Sequence, residues 1–88
     1  PLAAICAAPT LLGRWGLLEG RRAVCYPGME GQMKGAVAAD SQSHVVVDGP
    51  AKLITGQEAG SAFDFGLALV EYLAGRERAE EVRASICY

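Results

Sequence analysis

The feature that most constrains the fold is an apolar run near the start of the chain that ends in a cysteine. Residues 2–5 read Leu-Ala-Ala-Ile, and Cys6 follows at once. A continuous apolar run of this length is typical of a short strand covered on both faces, as in a parallel sheet with helices on either side. The run therefore predicts a buried strand over 2–5 in an α/β protein.

A tight turn and a helix are predicted directly after this strand. Pro9 suits the first turn of a helix, because the N–H that proline lacks would have no helical partner there. We expect the turn at Cys6 and Ala7. The helix is expected to end near Leu18, with Gly20 in the left-handed conformation that closes many helices.

Cys6 is the candidate nucleophile of the chain. A cysteine between a strand and a helix lies at the positive end of the helix dipole, beside unpaired backbone N–H groups, and such positions lower the pKa of a thiol. The same N–H groups can hold a developing oxyanion, and the small residues Ala7 and Ala8 leave the sulfur accessible. The alternative from composition alone is a buried cysteine that packs as a small hydrophobic residue.

The rest of the chain predicts one α/β unit without repeats or linkers. Ser61 and Asp64 have the spacing of a capping box at the start of the clearest helix. We expect a strand over 22–25, one helical turn over 29–33, a hairpin with strands over 43–47 and 52–55, and helices over 61–74 and 76–85.

Composition and charge narrow the class of protein. The chain has 88 residues, 51% of them hydrophobic, and a formal net charge of -2, which is typical of a globular domain. Because its charges are mixed, we expect no nucleic-acid partner and no membrane partner. The three cysteines are few, odd in number and not at zinc spacing, so we expect a reducing cytoplasm rather than a disulfide framework.

The octet at residues 3–10, Ala-Ala-Ile-Cys-Ala-Ala-Pro-Thr, resembles the nucleophile elbow of the ThiJ/PfpI superfamily, in the branch of the parkinsonism-associated deglycase. Residues 23–27, 47–49 and 60–71 support the likeness. The resemblance implies a flavodoxin-like three-layer α/β sandwich with a mostly parallel sheet. It also implies that residues 1–88 are the C-terminal half of a single domain, starting at the elbow strand.

The resemblance assigns roles to three residues. It implies that Cys6 is the redox-sensitive nucleophile and that the backbone N–H of Ala7 helps to form the oxyanion site. Several members carry a histidine where this sequence has Tyr26, whose phenol, with a pKa near 10, is a poor general base at neutral pH. Tyr26 is expected either to donate a hydrogen bond in the site or only to line the pocket.

Partners are also implied by the resemblance. The carboxylic acid that hydrogen-bonds the elbow sulfur in relatives comes from the first half of the fold, so we expect an N-terminal half that carries this acidic residue as a partner. A homodimer is expected as well. No metal or organic cofactor is implied.

Four further residues have less specific interpretations. Ala59 matches a position that borders the pocket in relatives. Cys25 is either a resolving thiol for Cys6 or a buried core thiol. His44, the only histidine, is expected on the surface, and Cys87 has no specific interpretation.

The hypothesis for function is a deglycase or glyoxalase-like enzyme that acts on α-oxoaldehydes, or on their protein adducts, through the Cys6 thiolate. The alternative is a cysteine redox sensor or chaperone-like stress protein without turnover, which needs no general base. Whether the chain is an enzyme stays open at this point. A peptidase ranks last, because no histidine is expected near the elbow.

Overall fold

The chain forms a small α/β structure, given by a computed structural model that describes residues 1–40 and 42–88. The described strands are β1 (Leu2–Ile5), β2 (Arg22–Ala23), β3 (Val37–Ala38), β4 (Val45–Asp48) and β5 (Leu53–Gly56). The described helices are α1 (Pro9–Arg14), α2 (Ala62–Ala74) and α3 (Arg76–Ser85), with short 3-10 turns at Glu30–Gln32 and Ala59–Ser61.

The main sheet has β5 at its centre. β5 pairs in parallel with β1 and antiparallel with β4, and the register places Leu2 opposite Leu53 and Ile5 opposite Gly56. A second pair, β2 and β3, is also parallel. The predicted hairpin is therefore confirmed. The main sheet is mixed, with one parallel and one antiparallel pair, and the arrangement is that of a partial flavodoxin-like fold.

Burial differs between the two paired strands. All four residues of β5 are buried, as expected for a central strand. β1 has the predicted bounds, but Ala3 is exposed and its other residues are only half-buried. The expected full burial of β1 is wrong for the described chain, because β1 has a strand neighbour on one side only.

The helix after the elbow ends at Arg14, four residues before the predicted end. Gly16, with a φ of 75°, takes the left-handed conformation first. Its N–H donates to the Gly13 carbonyl at 3.1 Å, and the Leu17 N–H donates to the Leu12 carbonyl at 2.9 Å. These two bonds form a Schellman motif, which ends the helix before Gly20, also left-handed, is reached.

The strand predicted over 22–25 ends at Ala23. The next backbone donor, the N–H of Val24, bonds to the side-chain hydroxyl of Thr55 at 3.0 Å instead of to a strand carbonyl. Beyond it, the Tyr26 N–H donates to the carbonyl of Cys6 at 2.7 Å. The segment after β2 is thus hydrogen-bonded to a side chain of β5 and to the backbone of Cys6, and it does not continue as a strand.

The last two helices follow the predicted bounds. Ser61 is the N-cap residue of α2, but its hydroxyl donates to the Glu58 carboxylate and makes no capping bond, so the predicted capping box is wrong. Ser61 donates to Glu58 instead of accepting a backbone N–H at the helix start, because Glu58 lies one turn before Ser61 and offers a charged acceptor. Among the residues described, no helix has the length and apolar character needed to cross a membrane.

Candidate functional site

The backbone of Cys6 has a conformation that is uncommon for a residue with a side chain. Its φ is 67°, in the left-handed region, which costs a residue other than glycine about 1 kcal/mol or more. Two hydrogen bonds hold it there: the Cys6 N–H donates to the Gly56 carbonyl at 3.1 Å, and the Cys6 carbonyl accepts the Tyr26 N–H. The turn at Cys6 is therefore fixed from both sides.

One backbone donor beside the cysteine is unused. The Ala8 N–H donates to the Ile5 carbonyl at 3.2 Å and closes the turn, while Pro9 has no N–H to offer. Within residues 1–40 and 42–88, the N–H of Ala7 has no acceptor. A free N–H next to a thiol is the arrangement that an oxyanion site requires.

Cys6 is partly accessible from solvent. Cys6 is free and half-buried, and Ala7 and Ala8 are exposed. The helix that follows has only six residues, so its dipole is shorter than that of the predicted helix. The environment of Cys6 therefore depends more on the backbone of the turn than on the dipole of α1.

The second cysteine lies beside the elbow but in a different environment. Cys25 is 1% exposed and belongs to a buried cluster with Leu12, Met33 and Leu53. Burial, with smaller contributions from the Glu30 carboxylate and the nearby Cys6 thiol, raises the pKa of Cys25 to about 11. At neutral pH this thiol is protonated, and its Sγ–H donates to the Tyr26 carbonyl at 3.5 Å.

Tyr26 meets the elbow through its backbone. Its side chain is 48% exposed, and its carbonyl also accepts the Met29 N–H at 3.0 Å. The structure therefore brings together the backbones of Cys6, Ala7 and Tyr26. The role of the Tyr26 phenol stays a prediction.

A carboxylate that sequence reasoning missed lies at the same edge of the sheet. Glu58 follows β5, accepts the hydroxyl of Ser61 and pairs with His44, whose Nδ1 is 3.4 Å from Glu58 Oε1. The side chain of His44 is exposed, as predicted. Because β1 and β5 are parallel, their carboxyl ends meet at one edge, and that rule could have placed Glu58 at the same edge of the sheet as Cys6.

A mixed sheet with a left-handed cysteine between its first strand and the first helix defines an α/β protein with a cysteine at the strand-to-helix turn. The sequence profile of the DJ-1/PfpI family matches residues 1–72, and the chain belongs to this family. The resemblance noted in the elbow octet is thereby confirmed.

Individual relatives support the assignment. The chain is 46% identical to the protein DJ-1 homolog B of Arabidopsis thaliana over 91% of its length and 18% of that protein. It is 30% identical to a glutathione-independent glyoxalase of Caenorhabditis elegans, over 98% of the chain and 45% of the relative. The solved structure of oxidised DJ-1 from Toxoplasma gondii superposes with a TM-score of 0.86 at 36% identity, again over 98% of the chain and 45% of that structure. The chain therefore spans less than half the length of these relatives.

Proposed function

We propose that this chain supplies the nucleophilic half of an enzyme that converts α-oxoaldehydes, or their adducts on protein side chains, through Cys6. The observation that carries the proposal is the left-handed Cys6 beside the unused N–H of Ala7. The relative named as a glyoxalase that needs no glutathione supports it, because a reaction without glutathione can take its thiol from the protein itself.

The chemistry follows from these two groups. The Cys6 thiolate attacks the aldehyde carbon, a C–S bond forms, and the carbonyl oxygen becomes an alkoxide that the Ala7 N–H stabilises. A proton then moves from the former aldehyde carbon to the neighbouring carbonyl centre, which leaves a thioester. Water cleaves the C–S bond, releasing a 2-hydroxy acid and the free thiol, so the net reaction adds one water.

The partner in this proposal is the N-terminal half of the same fold, with the acidic residue that hydrogen-bonds the sulfur. The described chain leaves one edge of β1 without a strand, next to an apolar groove lined by Leu2, Ile54 and Leu73. Leu73 is 72% exposed, which is costly for a leucine in water. A parallel strand and a helix from the other half would cover both the edge and the groove. We also propose a homodimer and a cytoplasmic location.

Tyr26 is proposed as a hydrogen-bond donor to the substrate. Its backbone is bound to Cys6, and its phenol is exposed enough to reach a bound molecule. Proton transfer would then fall to the acid of the N-terminal half. If Tyr26 only lines the pocket, its replacement by phenylalanine will leave turnover unchanged.

A second candidate function is a redox sensor or chaperone-like protein in which Cys6 is oxidised without turnover. The observation that favours it is a phenol where several relatives carry a histidine, because oxidation of a thiolate needs no general base. A structural relative is described as oxidised, which is compatible with this chemistry in the family.

The experiment that separates the two functions is a turnover assay with methylglyoxal. The natively purified protein, with any polypeptide that accompanies it, is compared with Cys6→Ser and with Cys87→Ser, an exposed cysteine far along the chain that serves as the matched control. Formation of lactate that is lost in Cys6→Ser and kept in Cys87→Ser supports the enzyme. Equal turnover in all three proteins would overturn it, and absent turnover with oxidation of Cys6 by peroxide would favour the sensor.

A further inference from the structure

The backbone next to Cys25 lies against the backbone of Cys6 at the elbow. The Tyr26 N–H donates to the Cys6 carbonyl at 2.7 Å, so the peptide that joins Cys25 to Tyr26 lies directly against the backbone of Cys6. Segments bonded in this way run about 5 Å apart. A disulfide requires Cα atoms roughly 4.4–6.8 Å apart, so the backbone spacing at this point suits one.

The two thiols differ in access. Cys6 is half-buried at the turn, whereas Cys25 is almost fully buried and its sulfur lies 3.5 Å from the Tyr26 carbonyl, at the end of the segment that touches Cys6. Burial and the Glu30 carboxylate raise the pKa of Cys25, so it stays protonated at neutral pH. An oxidant from solvent therefore meets Cys6 first.

We propose that Cys25 is the resolving thiol of Cys6, and that oxidation closes a reversible Cys6–Cys25 disulfide that switches the site off. The inference rests on the reactivity of Cys6 proposed above and adds its regulation. The disulfide would also keep Cys6 from irreversible oxidation.

The chemistry balances with a peroxide as oxidant. The Cys6 thiolate attacks hydrogen peroxide, the O–O bond breaks, and Cys6 sulfenic acid forms with release of hydroxide. The Cys25 sulfur then attacks the Cys6 sulfur, the S–O bond breaks, and the proton of Cys25 leaves with the hydroxyl group as water. Two thiols of a cellular reductant restore both cysteines.

The test is mass mapping of the natively purified protein after treatment with hydrogen peroxide. Cleavage by trypsin after Arg14, Arg22, Lys34 and Arg83 separates the three cysteines into different peptides, named here by the residues 1–14, 23–34 and 84–88 that they contain. We expect a cross-link between peptides 1–14 and 23–34 that has lost two hydrogens and disappears with dithiothreitol. Cys87→Ser should give the same cross-link.

Replacement of Cys25 provides the complementary measurement. In Cys25→Ala and Cys25→Ser, peptide 1–14 should gain two oxygens as sulfinic acid at about tenfold lower peroxide than in the wild type. Circular dichroism identifies a variant that fails to fold, and the cross-link in the wild type needs no variant at all. Sulfinic acid on Cys6 in the wild type, with no cross-link and the same peroxide dependence as the Cys25 variants, would overturn the inference.

The outcome is separable from that of the proposed function. A cross-link without turnover of methylglyoxal would contradict the proposed enzyme function and support the proposed disulfide. Turnover without a cross-link would do the opposite.

Discussion

The hydroxyl oxygen of Thr55 accepts a hydrogen bond of 3.0 Å from the backbone N–H of Val24, and both residues are buried. This bond joins the central strand to the segment after β2. That segment in turn contacts Cys6 through Tyr26. The Thr55 side chain in β5 thus helps to place the segment with Tyr26 beside Cys6.

Thr55→Val should therefore destabilise the protein. Valine has nearly the same shape but leaves the buried Val24 N–H without an acceptor, at a cost of about 1 to 3 kcal/mol. Thr55→Ser keeps the hydroxyl and should retain most of the stability that valine loses. Denaturant unfolding of the three proteins measures the difference, and equal losses in both variants would contradict the role of the hydrogen bond.

Cys6→Gly should be more stable than Cys6→Ala by about 1 kcal/mol, because the left-handed backbone at this position is costly for any residue with a Cβ. Both variants remove the thiol, so their difference isolates the backbone. Thermal unfolding is sufficient to measure it. An alanine variant as stable as the glycine variant would show that the turn carries no such strain.

Gly13→Ala should destabilise the protein by about 1 to 3 kcal/mol. A Cβ at Gly13 would lie 2.6 Å from the backbone N of Lys34 and 2.8 Å from Cα of Met33, so α1 would have to move away from the turn that packs on it. Gly66→Ala is the matched control. Gly66 lies inside α2, and a Cβ added there would meet no atom within 4 Å, so alanine should stabilise the helix by about 0.5 to 1 kcal/mol.

The buried thiol of Cys25 predicts a pH dependence of stability. Its pKa is about 11 in the folded chain against an ordinary value of 9.0, so folding favours the protonated form. The contribution is fully present below pH 9 and is lost as the pH rises to 11, by about 2 to 3 kcal/mol.

The measurement is denaturant unfolding at several pH values across this window, for the wild type and for Cys25→Ala. The other ionisable groups are common to both proteins, so the informative quantity is the difference between the two pH profiles. We expect the wild type to lose more stability than the variant. Parallel profiles would show that Cys25 does not hold its proton in the folded state.

Local patterns in the sequence predicted much of the fold. The bounds of β1 and α3, the hairpin and the end of α2 before Gly75 depend on apolar spacing and turn residues within a few positions. The end of α1 was harder to predict, because Gly16 and Gly20 are both left-handed. Only the hydrogen bonds of the Schellman motif determine which glycine ends the helix.

Contacts across the sheet could not be predicted in this way. The bond between Val24 and Thr55 depends on the register of strands far apart in the sequence, as does the contact between Tyr26 and Cys6. The free N–H of Ala7 was implied by the family resemblance, whereas Glu58 needed the parallel pairing of β1 with β5. Roles in catalysis for Cys6, Ala7 and Tyr26 stay predictions.

The pairing of β1 with β5 has a consequence for biosynthesis. The two strands lie roughly fifty residues apart, so β1 leaves the ribosome long before its neighbour exists. The Gly56 carbonyl that binds the Cys6 N–H is made just as late. Until then the Cys6 N–H lacks this acceptor, and the left-handed backbone of Cys6 is fixed only when the hairpin docks. A ribosome stalled before β5 would carry a nascent chain whose Cys6 alkylates like free cysteine.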